Sequence, residues 1–270
     1  MKIGNREFEE GHTYVMGILN ITPDSFSDGG RYHRMDAALF HVEEMITGGM
    51  DVLDIGGEST RPGYTLLSDE EEIERVIPVV EKIKSRFGIP VSVDTYKSNV
   101  ALAGVRAGAD MINDIWGLKY DEEIAGVIAK AGASCCLMHN RRKAEYRNYM
   151  EEVLEDLRDS VKLAEKAGIS AERIVLDPGV GFGKAYEHNL TVINRLERFK
   201  ELVFPILLWA SRKSVFWLTL DLPVEDRLEG TIVTTVFATI AGVMFVRVHD
   251  IKENVRAVRM TEAIMREGKI

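Results

Sequence analysis

Cysteine is nearly absent from this 270-residue chain: the two present, Cys135 and Cys136, are neighbours. Adjacent cysteines seldom bridge, which excludes a disulfide framework and points to a reducing, cytoplasmic compartment. Long apolar runs are missing too. The longest uncharged stretch, 231–246, falls short of the ~20 residues a membrane span needs, and Gly242 interrupts it. It reads as a buried helix running into a buried strand. Residues 1–14 are charged and lack an apolar segment, so no secretion signal is expected. No Pro/Ser-rich or low-complexity linker divides the chain. Positive charge is in deficit, with 34 Lys and Arg against 43 Asp and Glu and a formal net charge of −9. That balance excludes general attraction to nucleic acid or to an anionic membrane. A small anionic substrate stays compatible, provided basic groups gather locally.

Several catalytic signatures are also missing. Gly183-Lys184 is followed by Ala185, so DPGVGFG (177–183) is not a Walker loop. It also lacks the three spaced glycines that open a helix in a dinucleotide fingerprint. His139, His188 and His249 lack zinc spacing. No GxSxG occurs, and Ser211 has no base beside it in sequence.

What is present is regular alternation. Short apolar runs of strand length recur at 14–19, 52–55, 91–93, 111–112, 134–138, 174–176, 205–208 and 244–248. Between and after them, 36–47, 69–87, 98–107, 121–131, 146–167, 187–200, 224–241 and 252–267 space apolar residues by three and four, the helical period. Ser68 with Glu71, Asp36 and Ser98 are expected to cap helices, and Gly48, Gly108, Gly132, Gly168 and Gly242 to close them. Eight near-equal strand–helix units predict a parallel (β/α)8 TIM barrel in one domain spanning 1–270. A doubly wound open sheet is the other fold with this alternation, and the even spacing favours the barrel.

Nearly every predicted strand ends in polar groups: Asn20, Glu58, Asp94, Asn113-Asp114, His139-Asn140, Asp177, Ser211-Arg212-Lys213 and His249-Asp250. In a barrel these ends share one mouth. Asp94, Asn113 and Asp177 come from three strands, and a carboxylate matches the N–C–N edge of a flat heterocycle as it matches guanidinium. The plainer alternative is that the two aspartates cap helices or turns. Arg247 and His249 alternate between Val246 and Val248, so period two aims the polar pair into the barrel. An inward arginine needs an anion, either a substrate phosphate or an internal carboxylate such as Asp94 or Asp177. Asn20, Asp24 and Asp28 offer oxygens to a hard cation such as Mg²⁺.

The motifs ILNITPDSFSDGG (18–30), DIGGESTRPG (54–63), SVDTYKSNVA (92–101), INDIWG (112–117), LMHN (137–140), LDPGVGFGK (176–184), SRKS (211–214) and RVHD (247–250) resemble the dihydropteroate synthases, in that family's order and across essentially the whole chain. The resemblance implies that 6-hydroxymethyl-7,8-dihydropterin diphosphate is joined to p-aminobenzoate, with loss of diphosphate, through a cationic pterin intermediate in folate synthesis. It implies pterin binding by Asp94, Asn113, Met138, Asp177 and Lys213, and diphosphate binding by Arg61, Arg247 and His249. It implies an aminobenzoate pocket, also the sulfonamide target, of Phe26, Thr60, Pro62, Phe182, Lys213 and Ser214. Catalytic roles fall to Asp28, Asp177, Lys213, Arg247 and His249, Mg²⁺ sits on Asn20, and Thr22 to Gly30 act as a lid. The family is commonly dimeric, and the bulky 216–220 and 231–245 segments suit a homodimer interface. The sequence departs from the family pattern at Trp209-Ala210, where small residues are usual, at Ala185 and at Asn140-Arg141-Arg142. A corrinoid methyltransferase, or a pterin-binding protein without catalysis, would share the pterin residues but has no need of ESTRPG and SRKS.

Overall fold

The computed structural model describes residues 1–21, 31–58 and 66–267. Eight parallel strands form the expected barrel: β3 (Tyr14–Asn20), β4 (Val52–Gly56), β5 (Val91–Asp94), β6 (Met111–Asp114), β7 (Ser134–Met138), β8 (Ile174–Asp177), β9 (Leu207–Leu208) and β10 (Phe245–Val248). Each pairs with its sequence neighbour, and β10 lies between β3 and β9. A parallel bridge between Leu176 and Ile206 closes the ring from β8 to the entry of β9. An antiparallel pair, β1 (Lys2–Ile3) and β2 (Arg6–Glu7), precedes the barrel. Ile3 and Phe8 beside it pack with Met16, Val52, Met111, Cys136, Val175, Leu207 and Phe245, so the hairpin stoppers the barrel floor.

Strand parity follows from that floor. Outward residues such as Val15, Leu53, Val91, Ile112, Leu137, Leu176, Leu208, Val246 and Val248 join the large core under the helices. Inward residues one step above the floor are two positions further along each strand. They are Ile18, Asp54, Asn113, Met138, Asp177, Trp209 and Arg247, with Ser92 and Asp94 on β5.

The helices are α1 (Arg31–Thr47), α2 (Asp69–Arg86), α3 (Ser98–Arg106), α4 (Ile124–Ala131), α5 (Tyr149–Ala167), α6 (Tyr186–Asn194), α7 (Ser214–Leu220), α8 (Leu228–Ala241) and α9 (Ile251–Met265). Ser68 and Glu71 form the expected capping box on α2. Left-handed Gly132, Gly168 and Gly242 close α4, α5 and α8. Two expected caps differ. Asp36 lies inside α1, which begins at Arg31. Ser98 is not a cap; its amide donates to Asp121 Oδ2 at 2.7 Å, so a side chain from the next loop does that work. The 187–200 segment divides after Asn194 into a 3-10 stretch, Leu196–Leu202, whose buried Leu196, Phe199 and Leu202 repeat every three residues. Nor is α8 buried all round, since Val233, Phe237 and Ile240 are exposed.

Candidate active site

The inward layer above the floor holds an ionic lattice. Arg247, 1% exposed, donates from Nε to Asp54 Oδ2 at 2.6 Å and from Nη2 to Asp94 Oδ2 at 2.7 Å. Asn113 Nδ2 donates to the same Asp54 oxygen at 3.1 Å. Asp54 Oδ1 and Arg247 Nη1 are buried and have no hydrogen-bond partner among the described residues. An unmade hydrogen bond on a buried polar atom costs about 1–3 kcal/mol, so these atoms mark groups awaiting a partner. Of the two alternatives for Arg247, the internal carboxylate is the one seen: the arginine pairs with Asp94, and Nη1 of its fork is left over.

Asp177 ends β8, with Oδ1 accepting from the Gly179 amide at 2.7 Å. That bond spends one oxygen on the turn, as the plainer reading of Asp177-Pro178-Gly179 expects. Lys213, just before α7, donates from Nζ to the Val180 carbonyl. Its ammonium lies 4.5 Å from the Phe182 ring centre and 3.7 Å from that of Trp209. The guanidinium carbon of Arg247 lies 4.0 Å from the same indole. Met138 belongs to a small apolar cluster with Tyr96 and Ile115, against which Trp116, Phe182 and Trp209 pack.

Desolvation dominates the electrostatics. Burial holds the Asp94 carboxyl up at about 7, with Arg247 opposing. Burial holds Asp177 at about 6, with Lys213 opposing. The same cause pushes Lys213 well below the usual lysine value, Asp177 opposing. The layer therefore keeps carboxyls that ionise near neutrality beside an amine that sheds its proton unusually easily.

Asn20 and His249 stand at the rim. Asn20, exposed, ends β3. A Cβ on Gly56 would come within 3.6 Å of Asn20 Oδ1 and 3.7 Å of Asp94 Oδ2, so the glycine leaves these oxygens flanking one small space. His249 Nδ1 lies 2.9 Å from Ser211 Oγ, which orients the ring. Ser214 is exposed in the first turn of α7. Phe26, Asp28, Thr60, Arg61 and Pro62 fall outside the described residues.

His139, at the end of β7, has outward parity and serves structure. Its Nε2 lies 3.1 Å from Asp156 Oδ2 on α5, and its Nδ1 lies 2.7 Å from Lys184 Nζ. Lys184 also donates to the Phe182 carbonyl at 3.0 Å. Burial drives Lys184 down to about 7 and His139 to about 4. This knot fastens the loop after β8 and so fixes Phe182 over the mouth.

Asp54 is the principal residue that sequence reasoning missed. A signal existed, because an acidic residue in the middle of the apolar run VLDIG must face either the core or the barrel interior. Lys97 was missed as well: buried, it donates to Glu58 at 2.9 Å, to Glu72 at 2.8 Å and to the Leu67 carbonyl at 2.9 Å.

The model of the pterin binding enzyme family matches residues 16–249. The chain is 57% identical over 268 residues to the dihydropteroate synthase of Clostridium beijerinckii, covering 98% of this chain and 100% of that one. It is 50% identical over 258 residues to that of Bacillus subtilis, covering 96% and 90%. The solved dihydropteroate synthase of Clostridium difficile in the presence of pteroic acid matches with a TM-score of 0.94 at 49% identity, covering 97% and 100%. That of Yersinia pestis with a sulfonamide drug complex matches at 0.92 and 38%, covering 98% of each chain. A polar inward layer at the mouth of a parallel barrel thus coincides with likeness along nearly the whole chain, and the chain belongs to the pterin-binding enzyme family, among its dihydropteroate synthases.

Proposed function

We propose that this barrel mouth joins 6-hydroxymethyl-7,8-dihydropterin diphosphate to p-aminobenzoate, giving 7,8-dihydropteroate and diphosphate, the transferase reaction of its family in folate biosynthesis. One observation carries the assignment of residues: Asp94, Asn113, Met138, Asp177 and Arg247 are inward on five strands, and Lys213 reaches the same layer. Asp94, Asn113 and the second oxygen of Asp177 accept and donate along the edge of the pterin ring. Lys213 approaches a pterin carbonyl or ring nitrogen. Met138 packs on the ring face.

Cleavage of the carbon–oxygen bond leaves positive charge on the pterin methylene and negative charge on diphosphate. Asp177, with Asp28, opposes the cation, while Arg247, His249 and Arg61 oppose the anion. The arylamine then attacks the methylene carbon and loses its proton to solvent or to the departing diphosphate. Phe26, Thr60, Pro62, Phe182 and Ser214 form the aminobenzoate pocket, Phe182 being fixed by the Lys184–His139 knot.

The donor set fits a hard cation. Asn20 Oδ1 is an exposed oxygen at a rigid strand end. Among the described residues no group of three or more His, Cys, Asp or Glu side chains is arranged to hold a metal, so Mg²⁺ would take most of its shell from water and diphosphate oxygens. Bound there, it supplies charge neutralisation for the leaving group.

The enzyme works as a homodimer in the cytoplasm, the latter supported by two buried free thiols. Exposed Val233, Phe237 and Ile240 form a stripe on α8, and Met260 and Ile264 are exposed on α9, which packs against α8. Lys213→Ala tests the residue assignment. The expected result is a loss of kcat/KM of roughly a hundred-fold or more with an unchanged circular dichroism spectrum. Near-normal turnover would overturn it.

A further inference from the structure

Trp209 is the one aromatic side chain among the described inward residues of the layer above the barrel floor. Its ring centre lies 3.7 Å from Lys213 Nζ and 4.0 Å from the guanidinium carbon of Arg247. It also leans on Phe182, with ring centres 5.4 Å apart and planes tilted by 43°. The indole therefore touches three groups assigned above to substrates. Arg247 beneath it is 1% exposed, so the indole is part of what hides that cation from the mouth. Yet the fit is imperfect: the indole Nε1 is buried with no hydrogen-bond acceptor among the described residues.

The indole covers both basic groups at the floor of the mouth. We propose that Trp209 is a gate on the pterin pocket: its indole, resting on Lys213 and Arg247, occupies space that the pterin ring needs and must swing aside for pterin diphosphate to bind. The unpaired Nε1–H favours that movement, because outside the layer it reaches an acceptor in water. The closed state lowers the apparent affinity by the fraction of molecules already open, which makes Trp209 an affinity-setting residue of this site. The inference rests on the reading of the mouth as a pterin diphosphate site.

The test compares wild type, Trp209→Phe and Trp209→Ala, each checked for fold by circular dichroism. Calorimetric titration gives the Kd for 6-hydroxymethyl-7,8-dihydropterin diphosphate with Mg²⁺ and without aminobenzoate. Removing the gate is expected to tighten binding by roughly five-fold or more in Trp209→Ala and by roughly two-fold in Trp209→Phe, as the closed state is lost. Stopped-flow binding should show an observed rate that saturates with ligand in wild type and rises linearly in Trp209→Ala. Equal or weaker binding by the variants, or a linear rate in wild type, would overturn the gate. Where Trp209→Ala does not fold, Trp209→Phe and the wild-type kinetics decide alone. Turnover of wild type with both substrates separates the two claims. No turnover sinks the pterin-transfer reading, whereas turnover without tighter binding in the variants sinks only the gate.

Discussion

Asp54 and Asp94 divide the guanidinium of Arg247 between them, and neither bond sees much water. Breaking a buried pair leaves an uncompensated charge, which costs about 3–5 kcal/mol. Asp54→Ala is therefore expected to lose about 3 kcal/mol in chemical denaturation, at the low end because Asp94 still holds Arg247; a loss within error of zero would deny Asp54 this role. The carboxyls of Asp94 and Asp177 bring a pH signature. Burial holds them at about 7 and about 6, and in the proposed pterin site it is the ionised forms that would accept from pterin N–H groups. Falling pH protonates them, so binding weakens as pH drops through 7 and then 6. Titration of 6-hydroxymethylpterin, which lacks the diphosphate and its own ionisation, should show Kd rising by about ten-fold per pH unit below 6 for each carboxylate that must ionise. A Kd flat from pH 5 to 8 would contradict the assignment. At this scale the sequence was informative where a polar residue ended a strand, as at Asp94, Asn113 and Asp177. It was less so for Asp54, whose partners lie 59 and 193 residues away in the chain.

The loop between β8 and α6 shows why glycine recurs in DPGVGFG. Gly179 adopts φ +73°, and a Cβ there would collide with the His139 carbonyl oxygen; at Gly183, φ +54°, it would collide with the Arg141 backbone. The loop lies flat on the end of β7, which holds Asp177 and Phe182 at the mouth. Gly179→Ala is expected to cost at least about 3 kcal/mol and to weaken pterin binding with it. A variant of wild-type stability and affinity would show that the loop is not pinned. Strand and helix alternation was legible because apolar period is local information. Two elements were not legible. The β1–β2 hairpin is two residues per strand and gains its stability from Ile3 and Phe8 filling the barrel floor, a contact with no local pattern. The short α7 spans VFWLTL, where apolar residues on nearly every side erase the helical period.

At the scale of the molecule, closure of the ring brings residues from all eight strands or their ends to one layer, and that convergence turns scattered polar strand ends into a site. The barrel itself was readable from eight even repeats. Which polar ends face inward depends on parity set by the floor, so His139 and Asp177, both polar ends in the sequence, part company in the fold. The outer surface carries its own prediction. Sedimentation velocity should find a dimer at micromolar concentration, and Phe237→Glu, on the exposed stripe of α8, should shift it to monomer; a monomeric wild type would remove the homodimer. The central claim is that this layer transfers a pterinylmethyl group with loss of diphosphate. It is tested most directly by measuring diphosphate release from 6-hydroxymethyl-7,8-dihydropterin diphosphate and Mg²⁺, with p-aminobenzoate present or omitted. Release matched one to one by 7,8-dihydropteroate is expected when aminobenzoate is present, with little release without it. Pterin binding with no diphosphate released under either condition would contradict it.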